Sequence, residues 1–167
     1  MMTNPRHALR ASVLALLLCL TCAMPALAEE LRGRVVGITD GDTLTLLDGT
    51  NHQFKIRLSD IDTPERRQPY GDRARQALSN LVFGKAARIG VVDTDRHGRT
   101  VGRVHVDGHD VNAEMVRLGA AWVYRQYSRD PELPVLEDAA RAARRGLWAL
   151  PEADRMPPWE WRAVRRR

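Results

Sequence analysis

Residues 40–65 read DGDTLTLLDGTNHQFKIRLSDIDTPE, and this stretch decides how the chain folds. Two runs in which apolar and polar residues alternate, TLTLL and QFKIRL, flank an Asp48-Gly49 turn signal. The pattern predicts a β-hairpin that buries its leucine, isoleucine and phenylalanine side chains. Closing the hairpin brings Asp42, near the start of the first strand, close to Asp62, just past the second. Two carboxylates suit a hard cation, and a neighbouring arginine suits a phosphate.

The rest of the chain alternates short strands with helices. Apolar spacing predicts a helix over 74–82, Asp110 is a good N-cap for a second, and Pro131 opens a third. Five short strands with about three interposed helices favour a mainly β fold with helices, a small Greek-key barrel of OB type. Because no repeat or linker interrupts it, we expect one domain over 29–150, followed by a Trp/Arg-rich tail over 151–167.

Residues 1–28 have the pattern of an export signal. A basic start precedes the apolar run ASVLALLLCL, and the triplet ALA at 26–28 matches a cleavage site. The apolar run is shorter than the roughly 20 residues that span a membrane. We therefore predict a cleaved signal peptide, a secreted or periplasmic protein, and no stable membrane association after cleavage.

Cleavage would change the composition of the chain. Both cysteines lie in the signal, so the mature chain can form no disulfide and depends on its core for stability. Its 24 Lys and Arg residues face 21 Asp and Glu residues. This mildly basic balance permits an anionic partner without requiring one. The remaining length suits a single domain, and we expect a monomer.

Two sequence blocks together resemble the thermonuclease (staphylococcal nuclease-like) family. The first is DGDTLTL followed after ten residues by RLSDIDTPE, and the second is DRHGR at 95–99 followed by TVGRV. The similarity spans residues 31–148. It implies the same OB-type fold. It also implies an exported, Ca²⁺-dependent phosphodiesterase that acts on DNA and RNA and leaves 3′-phosphate ends.

The resemblance implies roles for nine residues. Three would hold Ca²⁺, the last through its backbone carbonyl: Asp42, Asp62 and Thr63. Three would act in catalysis, the first and last on the phosphate and the second as general base: Arg57, Glu65 and Arg99. Three would contact the substrate: Arg96, His97 and Tyr127.

Four of these residues have a plainer alternative. An aspartate beside a glycine, as at Asp42, is a common turn former. Arg57 faces away from the apolar row of its strand, where an arginine is usually only exposed, and Arg99 could be an ordinary hairpin residue. Glu65 could simply pair with one of the two arginines that follow it.

Other metal sites fit the sequence less well. An EF-hand loop counted from Asp40 would have Asn51 at its twelfth position, where a glutamate is required. His105 and His109 are separated by a turn and do not share a helix face, and the mature chain has no cysteine. These features do not favour zinc.

Two further classes of function remain open from the sequence. One is a non-catalytic OB-fold module that binds nucleic acid, although the presence of Arg57, Glu65 and Arg99 argues against it. The other is a calcium-stabilised envelope protein that recognises another anion, such as a sugar phosphate. The tail could either hold an anionic surface or pack as a tryptophan clip, and DNA is not distinguished from RNA.

Overall fold

The computed structural model describes residues 30–165, so the predicted signal peptide over 1–28 lies outside the described residues. The strands within this range are β1 Glu30–Ile38, β2 Thr43–Leu47, β3 Gln53–Leu58, β4 Ile61–Asp62, β5 Ala86–Thr94, β6 Thr100–Val106, β7 His109–Asp110 and β8 Trp122–Val123. The α-helices are α1 Gly71–Val82, α2 Val111–Arg117, α3 Glu132–Ala142 and α4 Pro158–Val164. Two short 3₁₀ helices cover Gly146–Ala149 and Glu152–Asp154.

Five strands close into a barrel. They follow the order β3-β2-β1-β5-β6, and a parallel pairing of β3 with β6 joins the two edges. Strand β1 belongs to both halves of the barrel, because its first part pairs with β5 and its second part with β2. Gly33 lies at this crossing, where a Cβ would overlap the backbone carbonyl of Leu47. The closed barrel confirms the predicted OB-type fold.

The apolar rows of the predicted hairpin form the centre of the core. Leu44, Leu46 and Ile56 are completely buried, and β2 pairs with β3 in the antiparallel register that the alternation requires. Helix α1 covers one side of the barrel through Ala74 and Leu78, which are likewise buried. The hairpin thus fixes where its polar ends lie.

Helix α2 begins where the sequence predicts. The Asp110 side chain accepts a hydrogen bond from the Ala113 backbone N–H at 3.0 Å. This contact satisfies one of the backbone donors that a helix N-terminus leaves unpaired. No helix in the part of the chain that the structure describes is long and apolar enough to cross a membrane.

The tail adds a fourth helix to the three predicted, and that helix packs on the domain. In α4, the Trp159 ring stacks on Tyr124 with centroids 5.3 Å apart and lies edge-on to Trp122 at 5.9 Å. Trp122 belongs to a small apolar cluster with Trp148 and Leu147. At Trp159 the tail therefore packs as the tryptophan clip that was one of the two alternatives left open by the sequence.

Replacing Trp159 with alanine should lower the free energy of unfolding by about 2 kcal/mol. A fully buried tryptophan costs about 3–5 kcal/mol on truncation, and Trp159 is only half-buried. Urea unfolding of the mature protein measures the effect. Val164→Ala, an exposed position of the same helix, is the control and should change stability by less than about 0.5 kcal/mol. Equal stability of the two variants would contradict the packing role.

Candidate active site

An arginine bridges two aspartates at the open end of the hairpin. Arg57 lies opposite Thr43 in the β2–β3 pairing, so its side chain reaches the start of β2 and the end of β4. Its Nη2 donates to Asp62 Oδ1 at 2.9 Å, and its Nη1 contacts Asp42 Oδ2. The Asp62 side chain is only 1% exposed and that of Arg57 14%. The structure thus brings these three predicted residues together in a buried cluster.

Asp42 is also held by the segment that carries Asp62. The Thr63 backbone N–H and hydroxyl both donate to Asp42 Oδ2 at 2.9 Å. Gly41 permits this approach, because a Cβ there would lie 2.7 Å from Thr63 Oγ1. The contacts fix the distance between the two ends of the hairpin.

Burial and neighbouring charges shift the pKa values of these aspartates in opposite directions. Burial raises the pKa of Asp42, but the Arg57 guanidinium and the Thr63 donors outweigh burial and leave that pKa below its ordinary value. Burial keeps the pKa of Asp62 above its ordinary value despite its two arginine partners. Burial and the neighbouring charge of Asp42 raise the pKa of Asp40 to about 6.

A second basic residue at the cluster comes from the C-terminal helix. Arg162 Nη2 donates to Asp62 Oδ2 at 2.6 Å, and its Nη1 donates to Glu65 Oε1 at 2.8 Å and to Asp62 Oδ1 at 3.2 Å. Arg162 therefore joins Asp42, Arg57, Asp62 and Glu65 in what we call the carboxylate–arginine cluster. The Arg162 guanidinium thus links Asp62, a predicted metal ligand, with Glu65, the predicted general base.

The role of Arg162 was not predicted. In the sequence this residue is one of several arginines in a basic tail, about 100 positions from its partners. One signal was available: Pro158 is a favourable first residue of a helix, and Trp159 and Arg162 are spaced i, i+3 on the same side. A helix docked by that tryptophan would also present the arginine to the domain.

Glu65 lies in a loop that the tail also holds. Its backbone N–H donates to Gln68 Oε1 at 3.1 Å, and Gln68 Nε2 donates to the Met156 carbonyl at 2.5 Å. The ion pair of Glu65 is with Arg162, and not with either arginine that follows it in sequence. The structure therefore removes the plainer alternative for Glu65 and places it at the cluster.

Strand β8 holds Asp62 in place through a short two-stranded sheet. It pairs with β4, with Trp122 opposite Asp62. The buried Glu137 of α3 accepts a hydrogen bond from the Val123 backbone N–H at 2.9 Å and pairs with Arg125 at 2.7 Å. Helix α3 thus anchors the short sheet that holds one carboxylate of the cluster.

Comparison with known proteins identifies the family. The profile described as "Staphylococcal nuclease homologue" matches residues 55–150. A protein named "Uncharacterized endonuclease" from Escherichia coli O157:H7 is 47% identical over 139 residues, covering 83% of this chain and 89% of that protein. The chain belongs to the staphylococcal nuclease family. A protein named "Micrococcal nuclease" from Shigella flexneri is 41% identical over 173 residues, covering 96% of this chain and 95% of its own length.

Family membership confirms the resemblance seen in the two sequence blocks. It assigns this staphylococcal nuclease homologue to the nucleases and makes nucleic acid its class of substrate. The individual residue roles remain predictions.

Arg99 reaches the cluster of this nuclease through a threonine. Its Nε donates to Asp95 Oδ2 at 2.7 Å and its Nη1 to Thr43 Oγ1 at 3.2 Å. Thr43 in turn donates to Asp42 Oδ1 at 3.2 Å. Arg99 is therefore held at the rim of the cluster and not at its centre.

The three predicted substrate contacts lie further out. Arg96 and His97 are exposed at the tip of the β5–β6 hairpin, where Arg96 Nε lies 3.2 Å from His97 Nε2. Tyr127 is 63% exposed and lies edge-on to Tyr124 at 4.7 Å. Within residues 30–165, no hydrogen bond or ion pair joins these three side chains to the carboxylates of the cluster.

Proposed function

We propose that this nuclease is an exported, Ca²⁺-dependent phosphodiesterase that hydrolyses DNA and RNA, leaves 3′-phosphate ends and acts as a monomer. The observation that carries the proposal is the bridge of Arg57 between two buried aspartates, with Glu65 held beside them by Arg162. A guanidinium can bind a phosphate, and the carboxylates fixed beside it can bind a cation at the same place. The export pattern in residues 1–28 supports a secreted or periplasmic location.

The donors of the cluster suit a hard cation. Asp42 and Asp62 would hold Ca²⁺ together with the Thr63 carbonyl, and all three provide oxygen ligands. Among residues 30–165, no group of three or more His, Cys, Asp or Glu side chains forms a metal cluster. Two carboxylates suit the weak affinity of extracellular calcium modules, about 10⁻⁴–10⁻³ M.

The mechanism assigns each polar group a part in phosphodiester hydrolysis. When bound, Ca²⁺ polarises the phosphate and neutralises part of its charge. Arg57, oriented by its two aspartate partners, donates to the phosphate oxygens as charge develops, and Arg99 does so from the rim. Glu65 accepts a proton from the water that attacks phosphorus in line. The P–O5′ bond breaks, the leaving 5′ oxygen takes a proton from water, and the phosphate stays on the 3′ end.

A plasmid-nicking assay on the purified mature protein tests this function. We expect nicking in Ca²⁺ and none in excess EDTA. The protein should also cleave RNA in Ca²⁺. Undiminished nicking in EDTA would contradict the calcium requirement. Binding without any cleavage would instead support the non-catalytic OB-fold module, against which the presence of Arg57, Glu65 and Arg99 argues.

Arg162→Ala should raise the affinity for Ca²⁺ about tenfold. Arg162 places a positive charge on Asp62 and Glu65, and removing it frees carboxylate oxygens for the ion. Because the Arg162 side chain is about one-third exposed, solvent screens the pair, and we expect a gain of only about 1.4 kcal/mol. Calorimetric titration of Ca²⁺ without substrate measures the change. Arg165→Ala in the same helix is the control, and equal affinities of wild type and both variants would contradict the prediction.

A further inference from the structure

A cavity lies between the loop that follows β4 and the C-terminal helix α4. Its volume is about 540 Å³, within the range of about 300–1,000 Å³ that is typical of ligand sites. Its lining consists of four arginines, one tryptophan and two carboxylates: Arg66, Arg67, Arg162, Arg165, Trp161, Asp40 and Glu65. Two of these residues also belong to the carboxylate–arginine cluster, so a ligand in the cavity would be a neighbour of the reacting phosphate.

The cavity carries arginines that have no carboxylate partner. Within residues 30–165, neither Arg66, Arg67 nor Arg165 forms an ion pair with a side-chain carboxylate, and all three are exposed. Three cations are therefore left facing one space, which suits a ligand with more than one phosphate.

Trp161 provides an aromatic ring in the same cavity. Unlike Trp159, it belongs to neither apolar cluster of the described chain, so its ring is not required by the core. Its partner is the Arg165 guanidinium, whose carbon lies 4.7 Å from the ring centroid. An aromatic ring among arginines is the combination that binds single-stranded nucleic acid, because bases stack on the ring while phosphates pair with the cations.

We propose that this cavity binds one nucleotide of a single-stranded DNA or RNA segment, next to the scissile phosphate. Trp161 stacks on the base, and Arg66, Arg67 and Arg165 pair with the flanking phosphates. A base within a duplex is already stacked on its neighbours, so the site selects unpaired strands. The inference rests on the proposed function for the identity of the reacting phosphate, and it adds a subsite formed by the tail.

Trp161→Leu tests the stacking contact. The probe is a fluorescein-labelled thymidine dodecamer, and fluorescence anisotropy of the mature protein in EDTA measures binding without cleavage. We expect an approximately tenfold weaker affinity for the single strand, since stacking of one base on an aromatic residue has an effect of this order. Binding of a duplex of the same length should not change. Val164→Ala in the same helix is the control.

Arg66→Gln/Arg67→Gln tests the phosphate contacts without changing α4. Loss of two phosphate contacts should reduce the slope of log affinity against log salt by about 1.4, because a single strand contributes about 0.7 per contact. The control, Arg34→Gln/Arg144→Gln, makes the same charge change at exposed positions outside the cavity and should leave the slope as in wild type.

Two outcomes would overturn the inference. One is wild-type affinity and salt slope in both the tryptophan and the arginine variants, with circular dichroism confirming that they are folded. The other is an equal loss of affinity for single strand and duplex. A wild-type protein that fails to nick plasmid counts against the proposed function instead, and the anisotropy experiment still decides whether the cavity is a nucleotide site.

Discussion

Glu65→Gln should slow single-turnover cleavage by a factor of about 10²–10⁴ and leave the affinity for an oligonucleotide close to that of wild type. The substitution keeps the size and polarity of the side chain and removes its capacity to take a proton from water. Glutamine can still accept a hydrogen bond from Arg162 in place of the present ion pair. The C-terminal helix should therefore stay docked through Trp159, which stacks on Tyr124.

Rate and affinity must be measured separately for this variant, both in saturating Ca²⁺. Glu152→Gln is a matched control, because it makes the same chemical change at an exposed position of the tail. We expect the control to cut at the wild-type rate. A Glu65→Gln enzyme that cuts as fast as wild type would remove Glu65 from the role of general base and leave the cation and the arginines as the catalytic groups.

Local sequence pattern was sufficient to predict the hairpin and the ends that meet there. Alternation over TLTL and QFKIRL places Leu44, Leu46, Ile56 and Leu58 in the core, and the register follows from that choice. Alternation did not predict that Thr43 and Thr45, on the other face of β2, are buried as well. Once the register is set, chain geometry fixes the position of Asp42 relative to Asp62. Arg57 lies between them because it alternates away from Ile56 and Leu58.

The same alternation did not predict how deeply Arg57 is buried. Facing away from the apolar row usually means facing solvent, yet Arg57 contacts Asp42 and Asp62 on that side, and both carboxylates are themselves buried. Arg162 is a similar case, since its contacts depend on where a helix about 100 residues away docks. Composition of the tail gives its charge but does not indicate which arginine reaches a carboxylate.

Arg57→Ala should lower both stability and rate by large amounts. It leaves Asp42 buried without its main counter-ion, and it removes one of two arginines from Asp62. Breaking a buried ion pair by removing one partner costs about 3–5 kcal/mol. Loss of a preorganised donor to the phosphate should also reduce the cleavage rate of the folded protein by a factor of at least about 10²–10³.

The pH dependence of unfolding separates this electrostatic cost from a loss of packing. In wild type, the pKa of Asp42 is held below its ordinary value of 3.8, so the Arg57 contact contributes stability at neutral pH that is lost as the pH falls below about 4. The variant lacks that contribution, and the difference in unfolding free energy between the two proteins should shrink on acidification. Urea unfolding at pH 7 and at pH 3.5 measures it. Arg88→Ala, which removes an exposed pair with Glu30, is the control and should change stability little at either pH, because solvent screens such a pair. If wild type and Arg57→Ala differed in unfolding free energy by the same amount at both pH values, the arginine would stabilise the fold by packing and not by holding the two aspartates.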